Sequence, residues 1–191
     1  MCSENKDDVC FSASETLLLE SGESIAIEDA SVGDRIQVVS SEGSLSFAEI
    51  IFLPHKKNAY YSAFIELETE NYASLKVTPT HLVMAGECGG TMTLIRAENV
   101  PVGSCLASIS GHKKIIASTK TSSRGVYSVI TAHHDGIIVV NGFKASSFAL
   151  NHEVSNIYYH IYRALYLVAP GMENYMAILT PVIELFIPLA S

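Results

Sequence analysis

From residue 16 to residue 140 the chain is a succession of short β-branched and apolar runs, broken by Gly, Ser, Asn and Asp. The clearest runs are 16–19 (Thr-Leu-Leu-Leu), 36–39 (Ile-Gln-Val-Val), 64–67 (Phe-Ile-Glu-Leu), 81–84 (His-Leu-Val-Met), 114–117 (Lys-Ile-Ile-Ala) and 137–140 (Ile-Ile-Val-Val). Runs of this length and composition read as strands. Turn signals at Ser21-Gly22, Ser41-Glu42-Gly43, Asp135-Gly136 and Asn141-Gly142 arrive at hairpin-like intervals. The pattern predicts an all-β domain. After Phe148 it changes, with Ile157, Ile161, Leu165 and Val168 at helical spacing among Tyr158, Tyr159, Tyr162 and Tyr166. A C-terminal helical tail is therefore predicted over 153–169, stopped by Pro170-Gly171. A second apolar segment, 176–186, is interrupted by Pro181 and followed by Pro188. The tail reads either as a helix packed on the β-domain or as a surface for lipid or another hydrophobic ligand.

The β-region carries an internal echo. Ile27-Glu28-Asp29-Ala30-Ser31-Val32-Gly33-Asp34-Arg35-Ile36 resembles Ala97-Glu98-Asn99-Val100-Pro101-Val102-Gly103-Ser104-Cys105-Leu106, and Gly33 and Gly103 lie 70 residues apart. A second pair, Thr78-x-x-His81 and Thr131-x-x-His134, extends the echo at an offset of 53 and makes His134 the expected counterpart of His81. Two matching halves predict a duplicated, pseudo-twofold fold.

Composition narrows the function. With 12 Lys+Arg against 20 Asp+Glu, the net charge of −8 argues against a nucleic-acid partner. A chain that is 48% hydrophobic and only 17% charged can bury a core rather than remain disordered. No charge-free stretch near the C-terminus approaches the roughly 18 residues that span a bilayer. The first nine residues are polar and acidic, unlike a secretory signal, which fits either a cytoplasmic protein or the end of a longer precursor.

Four cysteines, Cys2, Cys10, Cys88 and Cys105, form neither a CxxC pair nor a dense disulfide scaffold. Cys88 reads as a loop thiol and Cys105 as a small buried residue of a strand, both outside any site. His133-His134 suggests a metal, but no third ligand stands at regular spacing, so a structural or solvated role is expected and no metal site. Cys10 lies at the edge of the predicted domain. Thr78 and His81 flank Pro79, which excludes a helix and puts the pair on a strand or turn. Thiol, hydroxyl and imidazole together suffice for nucleophilic acyl chemistry.

Four blocks in register give this triad a context. They are Cys10-Phe11-Ser12-Ala13-Ser14-Glu15-Thr16, the stretch 27–36 quoted above, Val77-Thr78-Pro79-Thr80-His81-Leu82-Val83, and Gly125-Val126-Tyr127-Ser128-Val129-Ile130-Thr131 leading to Gly136-Ile137-Ile138-Val139-Val140-Asn141-Gly142. Over residues 10–149 the chain resembles the autoprocessing (Hint) domain of hedgehog proteins, distantly related to inteins. The resemblance implies a duplicated all-β horseshoe as the autoprocessing domain (10–150), preceded by a cargo-side remnant (1–9) and followed by a C-terminal region (151–191) where hedgehogs meet sterol.

The resemblance also implies a mechanism. The Cys10 thiol attacks the carbonyl of Val9, an N-to-S acyl shift that gives an internal thioester. His81 protonates the departing amide nitrogen and Thr78 holds the scissile peptide. A second nucleophile then releases the N-terminal segment. In hedgehogs this is cholesterol, activated by an aspartate; here His55, in Phe52-Leu53-Pro54-His55, takes that place or is a solvated loop histidine beside Lys56 and Lys57. The acceptor is then a sterol, another alcohol or water, and no other cofactor is expected.

Several positions depart from the family pattern. Val9 replaces glycine and crowds the attacked carbonyl, and Ser147 replaces a second cysteine, removing its thiol and any disulfide with Cys10. The chain ends in Pro188-Leu189-Ala190-Ser191 rather than an Asn before a nucleophile, so splicing is not expected. The expected protein is a cysteine-dependent, single-turnover autoprotease and acyl transferase acting in cis, monomeric, and in the secretory pathway if part of a longer precursor. One competing reading is a Hint-like fold without turnover, serving as a secreted binding or structural module. Another is a cysteine hydrolase acting in trans.

Overall fold

The structure, a computed structural model, describes residues 10–40, 42–54, 61–147 and 163–164. The β-branched runs become strands because alternate side chains can be buried on one face. Along β1 (Thr16–Leu18), β2 (Ser24–Ala26), β3 (Arg35–Val39), β4 (Leu45–Phe52), β5 (Tyr61–Thr69), β6 (Ser74–Val77) and β7 (Leu82–Gly86) the chain builds a first half. It continues through β8 (Met92–Arg96), β9 (Cys105–Ser108), β10 (Gly111–Arg124), β11 (Ile130–Thr131), β12 (Ile137–Val140) and β13 (Phe143–Ser146). Apart from two 3-10 turns, Ile27–Asp29 and Ala97–Asn99, helix among the described residues is confined to Arg163 and Ala164.

Ten strands follow the order β11-β4-β3-β12-β13-β7-β9-β10-β5-β6, with β8 flanking β7, and β1 and β2 form a separate hairpin. The 14-residue β10 connects two parts of this sheet. Its residues 111–114 pair with β9 and its residues 115–124 with β5, with a register shift between Ile115 and Ala117. Buried Phe11, Leu17, Ile36, Ile50, Leu67, Leu75, Leu106 and Phe143 belong to one core fed by both halves.

The duplication is written in the backbone hydrogen bonds. Gly33 and Gly103 share a left-handed φ, 99° and 95°, that a Cβ would penalise. Each donates to a strand carbonyl, Gly33 to Ile50 and Gly103 to Ile115, both at 2.9 Å. Ile50 and Ile115 return bonds to Asp34 and Ser104, both at 2.8 Å. The 3-10 turns enter alike, since Ile27 N–H donates to the Glu15 carbonyl at 2.7 Å and Ala97 N–H to the His81 carbonyl at 2.8 Å. These bonds correct the expected pairing of His81 with His134. The counterpart of His81 is Glu15, whereas His134 sits in the turn between β11 and β12. A Thr-x-x-His echo is too short a string to specify a symmetry relation, and the hydrogen-bond frame overrides it.

Of the helix expected over 153–169, only Arg163 and Ala164 are described, and both are helical. The rest of that tail, the segment 176–186, Val9 and His55 lie outside the described residues. Arg163 is buried, and its Nε donates to the Thr131 carbonyl at 3.0 Å.

Candidate active site around Cys10

The first residues of the domain form a crossing rather than a strand. Phe11 bridges Tyr127 on one side and Val77 on the other, exchanging bonds of 2.8 and 3.0 Å with Tyr127. Around the Phe11–Val77 bridge, Ser12 N–H donates to the Lys76 carbonyl at 3.2 Å and Thr78 N–H to the Cys10 carbonyl at 2.9 Å. The Cys10 N–H, which belongs to the peptide bond between Val9 and Cys10, donates to Thr78 Oγ1 at 2.9 Å. Thr78 thus grips Cys10 through both its main chain and its side chain. Cys10 itself is 0% exposed and packs with Phe64 and Val126.

Pro79 explains the spacing of Thr78 and His81. β6 ends at Val77, and His81 N–H donates to the Thr78 carbonyl at 3.0 Å, closing a turn with proline at its second position. The turn brings residues three apart together, which a strand would not do. His81 is 0% exposed, and its ring packs edge-on against Phe11 with centroids 4.2 Å apart.

The protonation state of His81 follows from its partners. Nε2 lies 2.9 Å from the Ser146 carbonyl oxygen, which only accepts, so Nε2 carries the proton. Nδ1 is left with its lone pair, buried and without a hydrogen-bond partner. Burial pushes the pKa of His81 down to about 3, against the opposing pull of the Ser146 carbonyl. The imidazole is therefore neutral, a weak base whose Nδ1 lone pair is unengaged, and once protonated it is a strong acid.

Glu15 occupies the related position in the other half. It is 4% exposed, and Oε2 accepts the Lys76 N–H at 3.1 Å and an Asn141 Nδ2–H at 2.6 Å. Burial raises its pKa to about 7, outweighing these bonds and the charge of Lys76. Asn141, whose φ is 51°, also donates to the Ser74 carbonyl and accepts from Thr16 N–H and Oγ1–H.

The paired burial of these two groups fixes a pH dependence. Glu15 has its pKa raised from 4.5 to about 7 by folding, so its contribution to stability is lost as pH rises through that window. His81 has its pKa depressed from 6.5 to about 3, so its contribution is lost as pH falls through that one. Between roughly pH 4.5 and 6.5 the two slopes oppose each other, giving a plateau. Urea unfolding across pH is expected to show a stability maximum there. Glu15→Gln should abolish the alkaline decline and turn the plateau into a continued rise while leaving the limb below pH 4.5 unchanged, and an unchanged alkaline limb would contradict the assignment.

The structure thus brings together Cys10, Thr78 and His81. Ser147 is buried away from any thiol role: its N–H and Oγ–H both bond the Gly136 carbonyl, at 2.9 and 3.0 Å, and its carbonyl accepts from Ser128 Oγ. Its neighbour Ser146 supplies the contact to His81. The expectation about the remaining cysteines is corrected. Cys88 and Cys105 are not thiols but form a disulfide, with Cα atoms 5.1 Å apart. Pairing of Gly86 in β7 with Cys105 in β9 draws the turn after β7 over the start of β9, a proximity that linear spacing does not reveal. Asp135 follows His133 and His134, and the side-chain ring nitrogens and carboxylate oxygen of the three lie within 4.8 Å of one another. These groups already engage one another, since His133 Nδ1 accepts the Asp135 N–H at 3.3 Å and His134 Nε2 lies 3.4 Å from the Asp135 carboxylate. Burial and the neighbouring His134 lower the pKa of His133.

Sequence reasoning did not single out Glu15, Asn141, Phe11 or the Ser146 carbonyl as parts of this site. For Glu15 a signal existed: an acidic residue between short apolar and hydroxyl residues at the point where the first strand begins. The Ser146 carbonyl left no trace, because a main-chain acceptor is independent of side-chain identity.

Fold and site together define a class, the duplicated all-β domain that buries a cysteine at its first crossing against a Thr-x-x-His turn. The chain belongs to the Hint module family, whose sequence model matches residues 2–178. It is 25% identical to Warthog protein 6 of Caenorhabditis elegans over 203 residues, covering 94% of this chain and 33% of that protein. It is 28% identical to protein hedgehog of Drosophila melanogaster over 148 residues, covering 74% of this chain and 31% of that protein. The chain thus spans about a third of the length of these relatives. Among solved structures, a DnaB intein from Synechocystis sp. PCC 6803 superposes with a TM-score of 0.60 at 16% identity, covering 74% of this chain and 100% of the intein. A bacterial intein-like domain from Clostridium thermocellum superposes with a TM-score of 0.58 at 16% identity, covering 72% of this chain and 97% of that domain. The fold is the Hint fold, and the relatives support self-processing chemistry in general. No helix among the described residues is long and apolar enough to cross a membrane.

Proposed function

We propose that this Hint module cleaves the chain before Cys10 by acyl transfer to its own thiol. As Sγ attacks the Val9 carbonyl carbon, the thiol proton passes by way of His81 Nδ1 to the Cys10 nitrogen without resting on the imidazole, and the tetrahedral adduct then collapses. The C–N bond breaks, leaving a Val9 thioester on Sγ and a free amine on Cys10. Amide nitrogen leaves only when protonated, and an imidazole with so low a pKa donates strongly once charged. The observation that carries this reading is the Cys10 N–H held on Thr78 Oγ1, in the same turn as a buried imidazole whose Nδ1 has no hydrogen-bond partner.

In the second step the hydroxyl of an acceptor attacks the thioester, its proton going to a base and the C–S bond breaking to restore the thiol. A sterol, with His55 as the base, is the acceptor proposed from the hedgehog likeness, and residues 151–191 are proposed as the region that receives it. The Cys88–Cys105 disulfide fits an oxidising compartment and so a secretory route. A rival reading, a binding module without turnover, draws on the complete burial of the Cys10 thiol, a state typical of inert cysteines.

A fusion carrying a tagged cargo upstream of Val9 separates the two. Hydroxylamine is expected to release the cargo as a hydroxamate ending at Val9, and Cys10→Ala to release none. A folded fusion that stays intact would sink the enzyme reading. With sterol added, the mass of the released cargo distinguishes a sterol ester from a free carboxylate, and a carboxylate alone would exclude sterol transfer.

A further inference from the structure

The duplication relates two peptide bonds as well as two side chains. Around the Phe11–Val77 bridge the bonds Ser12 N–H to Lys76 carbonyl and Thr78 N–H to Cys10 carbonyl are mates, so Cys10 in one half corresponds to Lys76 in the other. The outward N–H of each is met by a side-chain oxygen. Thr78 Oγ1 holds the Cys10 N–H at 2.9 Å, and Glu15 Oε2 holds the Lys76 N–H at 3.1 Å. Glu15 is also the counterpart of His81 by the shared bond to the 3-10 turn that follows each hairpin. The half that lacks a cysteine thus keeps the same backbone crossing and substitutes a carboxylate for the imidazole.

We propose that Glu15 is a positioning residue for the scissile peptide: by anchoring the Lys76 N–H it holds the segment 76–78, and with it Thr78, against Cys10. This inference rests on the proposed cleavage before Cys10. The mechanical path is short. Lys76 is fixed on one side by Glu15 and on the other by the Ser12 N–H, and Thr78 lies two residues on, gripping both the N–H and the carbonyl of Cys10. Asn141 braces the carboxylate and the Ser74 carbonyl together, so the anchor is tied to the turn between β12 and β13 as well.

Ionisation strengthens the anchor, because a carboxylate accepts N–H bonds better than a carboxylic acid does. The charged groups that face Glu15 are Lys76, whose charge favours the ionised form, and Glu66, whose charge opposes it. Those two are themselves paired at 3.3 Å, which moderates both effects. As pH rises through neutrality the grip on Lys76 tightens, and the geometry at Cys10 tightens with it.

The test uses the tagged fusion with hydroxylamine, following single-turnover release from pH 5.5 to 8.5 for the wild type and for Glu15→Gln. Glu15→Gln is expected to be slower by about tenfold at alkaline pH, where it lacks a charged acceptor. The ratio of wild-type to variant rates should rise through pH 7, a trend that common thiol ionisation cannot produce because it cancels in the ratio. A flat ratio, or equal rates, would overturn the positioning role. A second readout needs no turnover: in a Cys10→Ala background, the amide proton shifts of residues 76 and 10 are followed against pH. Both are expected to titrate near neutrality with Glu15 present and to be flat in Glu15→Gln. Titration at residue 76 without any at residue 10 would refute the coupling whether or not the chain cleaves itself. Absence of cleavage with the amide titrations intact would instead discredit the cleavage reading and leave the anchor standing.

Discussion

Replacing His81 with alanine is expected to slow hydroxylamine-induced release before Cys10 by about 10²- to 10⁴-fold, the usual range for loss of a positioned proton-transfer group. Three features of the His81 environment set this effect. Nε2 is committed to the Ser146 carbonyl, which fixes the tautomer and leaves Nδ1 as the atom that can move a proton. Edge-on contact with Phe11, the residue next to the nucleophile, holds the ring in one orientation. Burial keeps the imidazole neutral, so any proton it carries is released readily to the amide nitrogen. His81→Ala also leaves a cavity in a fully buried place, so its release is compared at a temperature where circular dichroism shows the variant folded. His81→Gln, which keeps most of the volume but cannot serve as this acid, should be as slow as alanine. Wild-type rates in both folded variants would remove His81 from the chemistry.

The parts of this molecule that were legible in the sequence are those with local causes. β-branched runs gave strands near their expected places, and 137–140 became β12 over the same residues. The Val-Gly turns recur because a left-handed glycine is needed at Gly33 and again at Gly103. Thr78 and His81 were visible because Pro79 forces a turn between them. What the sequence concealed depends on tertiary approach. The four apolar and basic residues of 114–117 lie within the much longer β10, whose polar remainder is ordered by pairing with β5 and β9 rather than by its own pattern. Glu15 reads as a surface acid until folding covers it, and its kinship with His81 exists only in hydrogen bonds between distant segments. The disulfide has the same character, since two cysteines 17 residues apart become neighbours through strand pairing.

That disulfide carries the other large expected effect. It closes a 17-residue loop, and cross-linking a loop of this length stabilises a fold by about 3 kcal/mol through the entropy removed from the unfolded chain. Cys88→Ser combined with Cys105→Ser is therefore expected to lower the urea unfolding free energy by that order, and an unchanged midpoint would disprove it. The consequence reaches the candidate site, because β7 starts immediately after His81 and its other end, Gly86, is the partner of Cys105. Dithiothreitol, the obvious reagent for trapping a Cys10 thioester, also opens this bond and loosens the hairpin behind His81. Hydroxylamine cleaves thioesters and leaves disulfides intact. Release by hydroxylamine is accordingly expected to exceed release by dithiothreitol at matched nucleophile reactivity, and the difference should vanish in the double serine variant, where no disulfide remains to be reduced. If the two reagents differ equally in both proteins, the disulfide does not support the site. Weak cleavage by a reducing thiol in the wild type is thus no measure of inactivity, whereas inertness to hydroxylamine with the disulfide intact is.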